Sequence, residues 1–372
     1  MIASPLLTSR SPVHALQRWF GVAVALGATG AGAASLPKQP QREPAAGLLY
    51  YAKADFAFAD NQAIIANPYV SGALFQVIWS EVEKEEGRCD WREVDRWIQP
   101  WLAAGKGVAI RIMWITSGAW PRPYYKTPTP RWVWEKGAKF AYLAATGTEI
   151  PLIWDPVYQR YAWRFLEQFA ARYGDHPQLL FADITPGAET NPYRFGLNNP
   201  ANLAFKDTYA QAKASDGRSY TEELWLETVK EWIDASSRRL PRTPLLVTLN
   251  VGGLRGGDRL TTIGGYCAER GIYVGQNGLN GRSYSEDSAR RSAFLDWSRQ
   301  TRLFFEMVAR TGGRTGTLME VMQAAGRIRC NYLNVYPEDV QRGTRGQADF
   351  DPAFEEALKF GHETLTRLRG AR

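Results

Sequence analysis

Eight short apolar runs recur along this chain, and no tight hairpin turn joins one to the next. They cover residues 47–53, 73–79, 107–114, 179–184, 245–250, 272–275, 302–306 and 329–336. Most are separated by segments whose apolar residues fall at helical spacing. Between the second and third runs, Val94, Trp97, Ile98, Trp101 and Leu102 mark one face of a helix that Gly105 closes. Residues 156–173, 220–240, 260–270, 285–299, 317–326 and 352–370 read as further helices, with Thr221 as an N-cap and Glu222 and Glu223 at the favourable end of the helix dipole. Strand and helix alternating to eight predict an α/β chain folded as a single (β/α)8 barrel. A doubly wound open sheet would carry a Gly-rich phosphate turn after its first strand, and none is present.

The 372 residues are divided accordingly: 1–34 as a signal peptide, 35–46 as a linker, and 47–372 as the barrel. Arg10 and Arg18 precede a short apolar segment that begins at Trp19. Ala31-Gly-Ala33 then offers a small-residue cleavage site. This predicts a secreted or periplasmic protein with no stable membrane insertion after cleavage. One segment, 115–155, is longer than a simple connection. It is rich in proline and aromatics (Trp120, Tyr124, Tyr125, Trp132, Trp134, Trp154), and reads either as a functional loop or as a lid with a crossover helix over 135–145.

Composition narrows the chemistry. The net charge is +7, but the basic residues are dispersed, with no run of five, so nucleic acid is not an expected partner. Cys89, Cys267 and Cys330 lack metal-ligand spacing, and one disulfide plus a free thiol is open to them. With only three histidines (His14, His176, His362), a Ser-His-Asp triad or a His-rich metal site is disfavoured.

In such a barrel, chemistry sits at the carboxyl ends of the strands. Those ends supply Lys53 and Asp55, Trp79 and Glu81, Arg111 and Trp114, Asp183 and Glu189, Asn250, Gln276 and Asn277, Glu306, and Asn331 and Asn334. The set is rich in carboxylates, amides and tryptophan. Two carboxylates, one protonated and one charged, are what glycosidic cleavage requires, and no cofactor is needed. Glu189 follows the fourth run through Pro186-Gly187, and Glu306 ends the seventh behind Leu303-Phe-Phe305. They are the expected catalytic pair. Each also has a plainer reading: Glu189 as a helix-capping loop residue, and Glu306 as an ion-pair partner of Arg111 or Arg310. Arg111, Asn250, Gln276 and Asn334 could bind sugar hydroxyls or satisfy protein groups. Trp79 and Trp114 could stack on a sugar ring or serve as core. Glu81 joins them as a substrate-side candidate. Asp183 is either a third acid or a buried ion-pair partner of Lys53 or Arg111.

Three blocks of residues carry a family resemblance. Trp79-Ser-Glu81-Val-Glu83 with Gly87, Trp91 and Asp95, running into Gly107-Val-Ala-Ile-Arg111, resembles the second-strand block of clan A glycoside hydrolases, especially family 42 β-galactosidases, and of family 14 β-amylases. Pro186-Gly-Ala-Glu189, followed by Pro192, and Phe305-Glu306-Met307 are similar to the two carboxylate segments of family 14. The resemblance implies a glycosidase acting on a poly- or oligosaccharide, with Glu189 as acid or acid/base and Glu306 as nucleophile or base. Clan A enzymes usually place Asn before the fourth-strand Glu, where this chain has Ala188. A non-catalytic glycan-binding barrel is therefore the alternative expectation, and a metal-dependent hydrolase is a more distant one. Clan A enzymes retain configuration and β-amylases invert it, so the stereochemistry stays open.

Overall fold

The computed structural model of the protein describes residues 38–40, 42–44, 46–52, 59–115, 128–144, 147–186, 207–249, 257–285 and 289–369. The proposed signal peptide lies outside them. The described strands are β1 (Gly47–Ala52), β2 (Val70–Ile78), β3 (Gly107–Met113), β4 (Phe140–Leu143), β5 (Thr148–Pro151), β6 (Leu179–Asp183), β7 (Leu245–Leu249), β8 (Tyr273–Leu279), β9 (Leu303–Met307) and β10 (Tyr332–Val335). Eight of them close into a barrel in the order β1-β10-β9-β8-β7-β6-β3-β2, with every neighbour parallel. The (β/α)8 barrel read from the alternation is the fold observed.

Local chemistry sets the helices between the strands. Asp155 caps Pro156–Tyr173 by accepting from the backbone N–H groups of Val157 (2.8 Å) and Tyr158 (3.0 Å). The same buried carboxylate accepts from Ser215 N (2.6 Å), which ties the Lys213–Ser219 bridge to this helix. Thr221 caps Glu222–Arg239, and Thr317 with Glu320 forms a reciprocal capping box at Leu318–Arg327.

Three elements differ from the sequence reading. The described residues of the 135–145 stretch form no crossover helix. A short helix, Arg131–Glu135, leads instead into an antiparallel hairpin of β4 and β5. The period there is two rather than 3.6, since Ala141 and Leu143 are buried while Tyr142 between them is exposed. β8 runs on to Leu279, so Gln276 and Asn277 lie within a strand rather than after one. β10 starts only at Tyr332, because Arg329 adopts a left-handed φ of 57° that a strand does not accommodate.

Part of the stretch expected as a linker is bound to the barrel. Arg42 donates to the carbonyls of Arg242 (2.6 Å), Gly174 (3.1 Å) and Leu179 (3.3 Å), and also to that of His176. Its own carbonyl accepts from Arg302, and the carbonyl of Pro44 accepts from the Tyr332 hydroxyl (2.5 Å). Residues 42–44 thus cross the barrel at the amino-terminal ends of its strands.

Candidate functional site

Strand register decides which side chains meet inside the barrel. Arg111 pairs in register with Gln76 on β2 and Asp183 on β6. Glu306 pairs with Asn277 on β8 and Asn334 on β10. Side chains at paired positions share a face, and residues two apart return to it. Tyr51, Gln76, Arg111, Asp183, Thr248, Asn277, Glu306 and Asn334 therefore form a polar inward layer, one from each barrel strand, near the carboxyl ends.

Below them lies an aromatic layer. Phe181 is centred 5.4 Å from the Tyr332 ring, 5.6 Å from Phe304 and 6.0 Å from Tyr273. Gly275 makes room for the Phe304 ring and for Leu246: a Cβ there would fall 2.9 Å from Phe304 and 3.0 Å from Leu246. Deeper still, the Arg302 guanidinium donates to the hydroxyls of Tyr332 (3.0 Å) and Tyr273 (3.1 Å).

The polar layer is organised by one cation. Arg111 Nε donates to Asp183 Oδ2 at 2.6 Å and Nη1 to Glu306 Oε2 at 2.8 Å. All three side chains are buried. Burial alone would lower the proton affinity of the guanidinium, but the charges of Glu306 and Asp183 reverse that and hold Arg111 well above its ordinary value. Asp183 is fixed in turn by the hydroxyl and backbone N–H of Thr185 (the latter at 3.1 Å) and by the Thr248 hydroxyl (3.2 Å). Asn334 Nδ2 stands 3.5 Å from Glu306 Oε2. Arg111 Nη2, a donor, and Asn334 Oδ1, an acceptor, are buried atoms of this layer with no hydrogen-bond partner among the described residues. Beside the layer, burial and then the charge of Glu306 push the Tyr336 hydroxyl upward, so it stays a neutral donor.

Of the residues expected at the site, the structure brings together Arg111, Asp183, Glu306 and Asn334. Glu189 and Asn250 lie outside the described residues, as do Lys53 and Asp55. Gln276 is corrected: it sits out of phase with Asn277 and faces the helices, where Tyr284 donates its hydroxyl to Gln276 Oε1. Trp79 and Trp114 are corrected too. Both are turned outward and wholly buried, packed on each other at 5.8 Å and on Phe165. Trp79 Nε1 donates to the buried carboxylate of Glu83 (2.8 Å), and Trp114 packs on Trp232. Neither presents a ring face to the barrel mouth. Glu81 is exposed on the turn Trp79–Val82, with Lys84 3.9 Å away. Tyr51, Gln76 and Thr248 were not anticipated. A polar residue inside an apolar run, as in Phe75-Gln76-Val77 and Val247-Thr248-Leu249, was the available signal.

All three cysteines are free thiols. Among the described residues no group of His, Cys, Asp or Glu is placed to hold a metal ion, and no helix is long and apolar enough to cross a membrane.

No protein-family model and no curated protein sequence matches the chain. Solved structures do match. The catalytic domain of β-amylase from Paenibacillus polymyxa superposes with a TM-score of 0.59 at 10% identity, covering 87% of this chain and 99% of that one. A β-galactosidase from Rahnella sp. R3 gives 0.55 at 12% identity over 90% of this chain and 58% of its own. An exo-β-1,4-mannosidase from Opitutaceae bacterium strain TAV5 gives 0.52 at 10% identity over 89% and 62%. The chain thus spans about three-fifths of the latter two proteins. The class defined by the fold is the (β/α)8 TIM barrel, a fold shared with these glycoside hydrolases. At 10–12% identity the likeness to the β-amylase, the β-galactosidase and the mannosidase is one of fold.

Proposed function

We propose that the protein is an exported glycoside hydrolase that cleaves O-glycosidic bonds in a poly- or oligosaccharide. Glu306 serves as nucleophile or base and Glu189 as acid or acid/base. The observation that carries this reading is the setting of Glu306. It is a buried carboxylate at the carboxyl end of a barrel strand, bonded to a guanidinium and close to an amide. Burying a charge there without a partner would be costly, and Arg111 supplies the partner at 2.8 Å. An ionised carboxylate is what attack on an anomeric carbon, or activation of water, requires. The other carboxyl must deliver a proton to the leaving oxygen. In sequence, Glu189 follows Asp183, the last residue of β6, by six positions. The similar solved structures include a β-amylase, a β-galactosidase and a mannosidase, in keeping with a carbohydrate substrate.

The test is digestion of a glycan panel by the wild type and by Glu189→Gln and Glu306→Gln, with NMR of the anomer first released. Each variant is expected to keep its fold and lose turnover by orders of magnitude. Near-wild-type hydrolysis by either would remove that residue from its role. The first anomer distinguishes retention, expected for carboxyls ~5–5.5 Å apart, from inversion at ~6.5–9.5 Å. Export is tested by the amino-terminal sequence of the mature protein, expected to begin near residue 34 or 35.

Ala188, standing where clan A enzymes carry Asn, favours a second reading: a barrel that binds glycan without cleaving it. Tight binding of a panel member with no product would select it.

A further inference from the structure

We propose that Asp183 is a positioning residue for Glu306. It aims the Arg111 guanidinium and offsets its charge, so that Glu306 meets a substrate with one oxygen held and the other available. This rests on the reading of Glu306 as the reacting carboxylate. A guanidinium facing a single carboxylate tends to grip it with two parallel hydrogen bonds. Here that grip is divided: Nε is committed to Asp183 Oδ2, and Nη1 alone reaches Glu306, at Oε2. Asn334 approaches the same Oε2 at 3.5 Å. The described bonds therefore fall on one oxygen of Glu306 and leave Oε1 for chemistry.

Asp183 is itself immobilised. Thr185 holds its Oδ1 from the following loop, and Thr248 on β7 holds Oδ2. Thr248 N in turn accepts no freedom from the loop, since it donates to Thr185 Oγ1 at 2.8 Å. The guanidinium thus has one edge anchored to a rigid carboxylate, which fixes the direction of the other.

Charge points the same way. Among the described residues, the ionisable groups facing this cluster are Tyr51 from β1, Arg111 from β3, Asp183 from β6, Glu306 from β9 and Tyr336 beyond β10, with Glu338 and Arg314 acting on Tyr336. Two carboxylates share one guanidinium. Removing the Asp183 charge leaves Arg111 wholly to Glu306 and makes that carboxylate a weaker nucleophile or base.

The experiment compares wild type, Asp183→Asn and Asp183→Ser, the last leaving room for water at Arg111 Nε if Asn does not fold. On a hydrolysed glycan, kcat is expected to fall about a hundredfold with KM little changed. The acid limb of the pH profile should move down by about one pH unit. A parallel titration follows the carboxyl carbon signal of Glu306 in 13C-glutamate-labelled protein, assigned by its loss in Glu306→Gln. Its midpoint should move down in step. A loss of activity with the limb and the signal unmoved would make Asp183 a purely structural residue and overturn the proposal. The titration needs no substrate. If wild type cleaves no glycan, the functional reading fails, while a shifted or unshifted signal still decides whether Asp183 acts on Glu306.

Discussion

Arg111 and Glu306 meet at 2.8 Å across the barrel interior, from strands that are not neighbours in the sheet. The pair, with Asp183 on the other edge of the guanidinium, ties β9 through charge to the mutually neighbouring strands β3 and β6, with which it shares no backbone ladder.

Replacing Arg111 by Met would leave two buried carboxylates without their cation. Breaking a buried pair from one side costs about 3–5 kcal/mol. Chemical denaturation at neutral pH should show a loss of this size, and folded Arg111→Met should have lost glycan turnover. A variant as stable as wild type would mean that water or a neighbour replaces the guanidinium.

Asn277 and Gln276 are adjacent in sequence and face opposite sides of β8. Asn277→Ala should lower kcat/KM by about tenfold, the effect of one good polar contact, and leave stability nearly intact. Gln276→Ala should do the reverse. It strips a buried acceptor from the Tyr284 hydroxyl, at a cost of about 1–3 kcal/mol. Paired thermal melts and kinetics separate the two.

Arg42→Ala should destabilise the barrel by about 2–3 kcal/mol, because four backbone carbonyls lose a charged donor at once. Activity per folded molecule should not change, since these contacts lie at the opposite end from the polar layer. A truncation that starts after residue 46 should be weaker still in a melt.

Stability should fall in alkali. Burial pushes the Cys89 thiol up to about 12, and raises Cys267 and Cys330 as well; it also raises the Tyr158, Tyr284 and Tyr332 hydroxyls. Each group is neutral in the fold and ionises more readily in the unfolded chain, at about 8.5 for Cys and about 10 for Tyr. Their contribution is complete below those values and lost as pH rises towards the folded ones. Urea midpoints should be level from pH 7 to about 8 and drop steadily from about 9 upward. Iodoacetamide at pH 8 should leave all three thiols intact in the native state.

Much of the barrel was legible because strand and helix leave different periods in the sequence, and the eight runs keep theirs. The hairpin of β4 and β5 was missed because four-residue strands carry too few turns of either period to distinguish them. The site was partly legible for a related reason. A charge such as Glu306 behind Leu303-Phe-Phe305 stands out, and its ion pair with Arg111 was one of the readings available. Trp79 and Trp114 could not be placed from sequence, because the same ring suits a sugar or a helix and only strand phase separates them. Gln276 failed on phase as well, once β8 proved longer than its apolar run.

The ring layer of Phe181, Tyr273, Phe304 and Tyr332 has a consequence for the charges on either side of it. Arg111 lies above these rings and Arg302 beneath them, and no carboxylate is among the described hydrogen-bond partners of Arg302. The rings space the two guanidiniums apart along the barrel axis, and each cation is held by partners on its own side: carboxylates for Arg111, tyrosine hydroxyls and a backbone carbonyl for Arg302. The two ends share no described hydrogen bond through the ring layer, so a substitution among the carboxylates leaves the contacts that seal the opposite end in place.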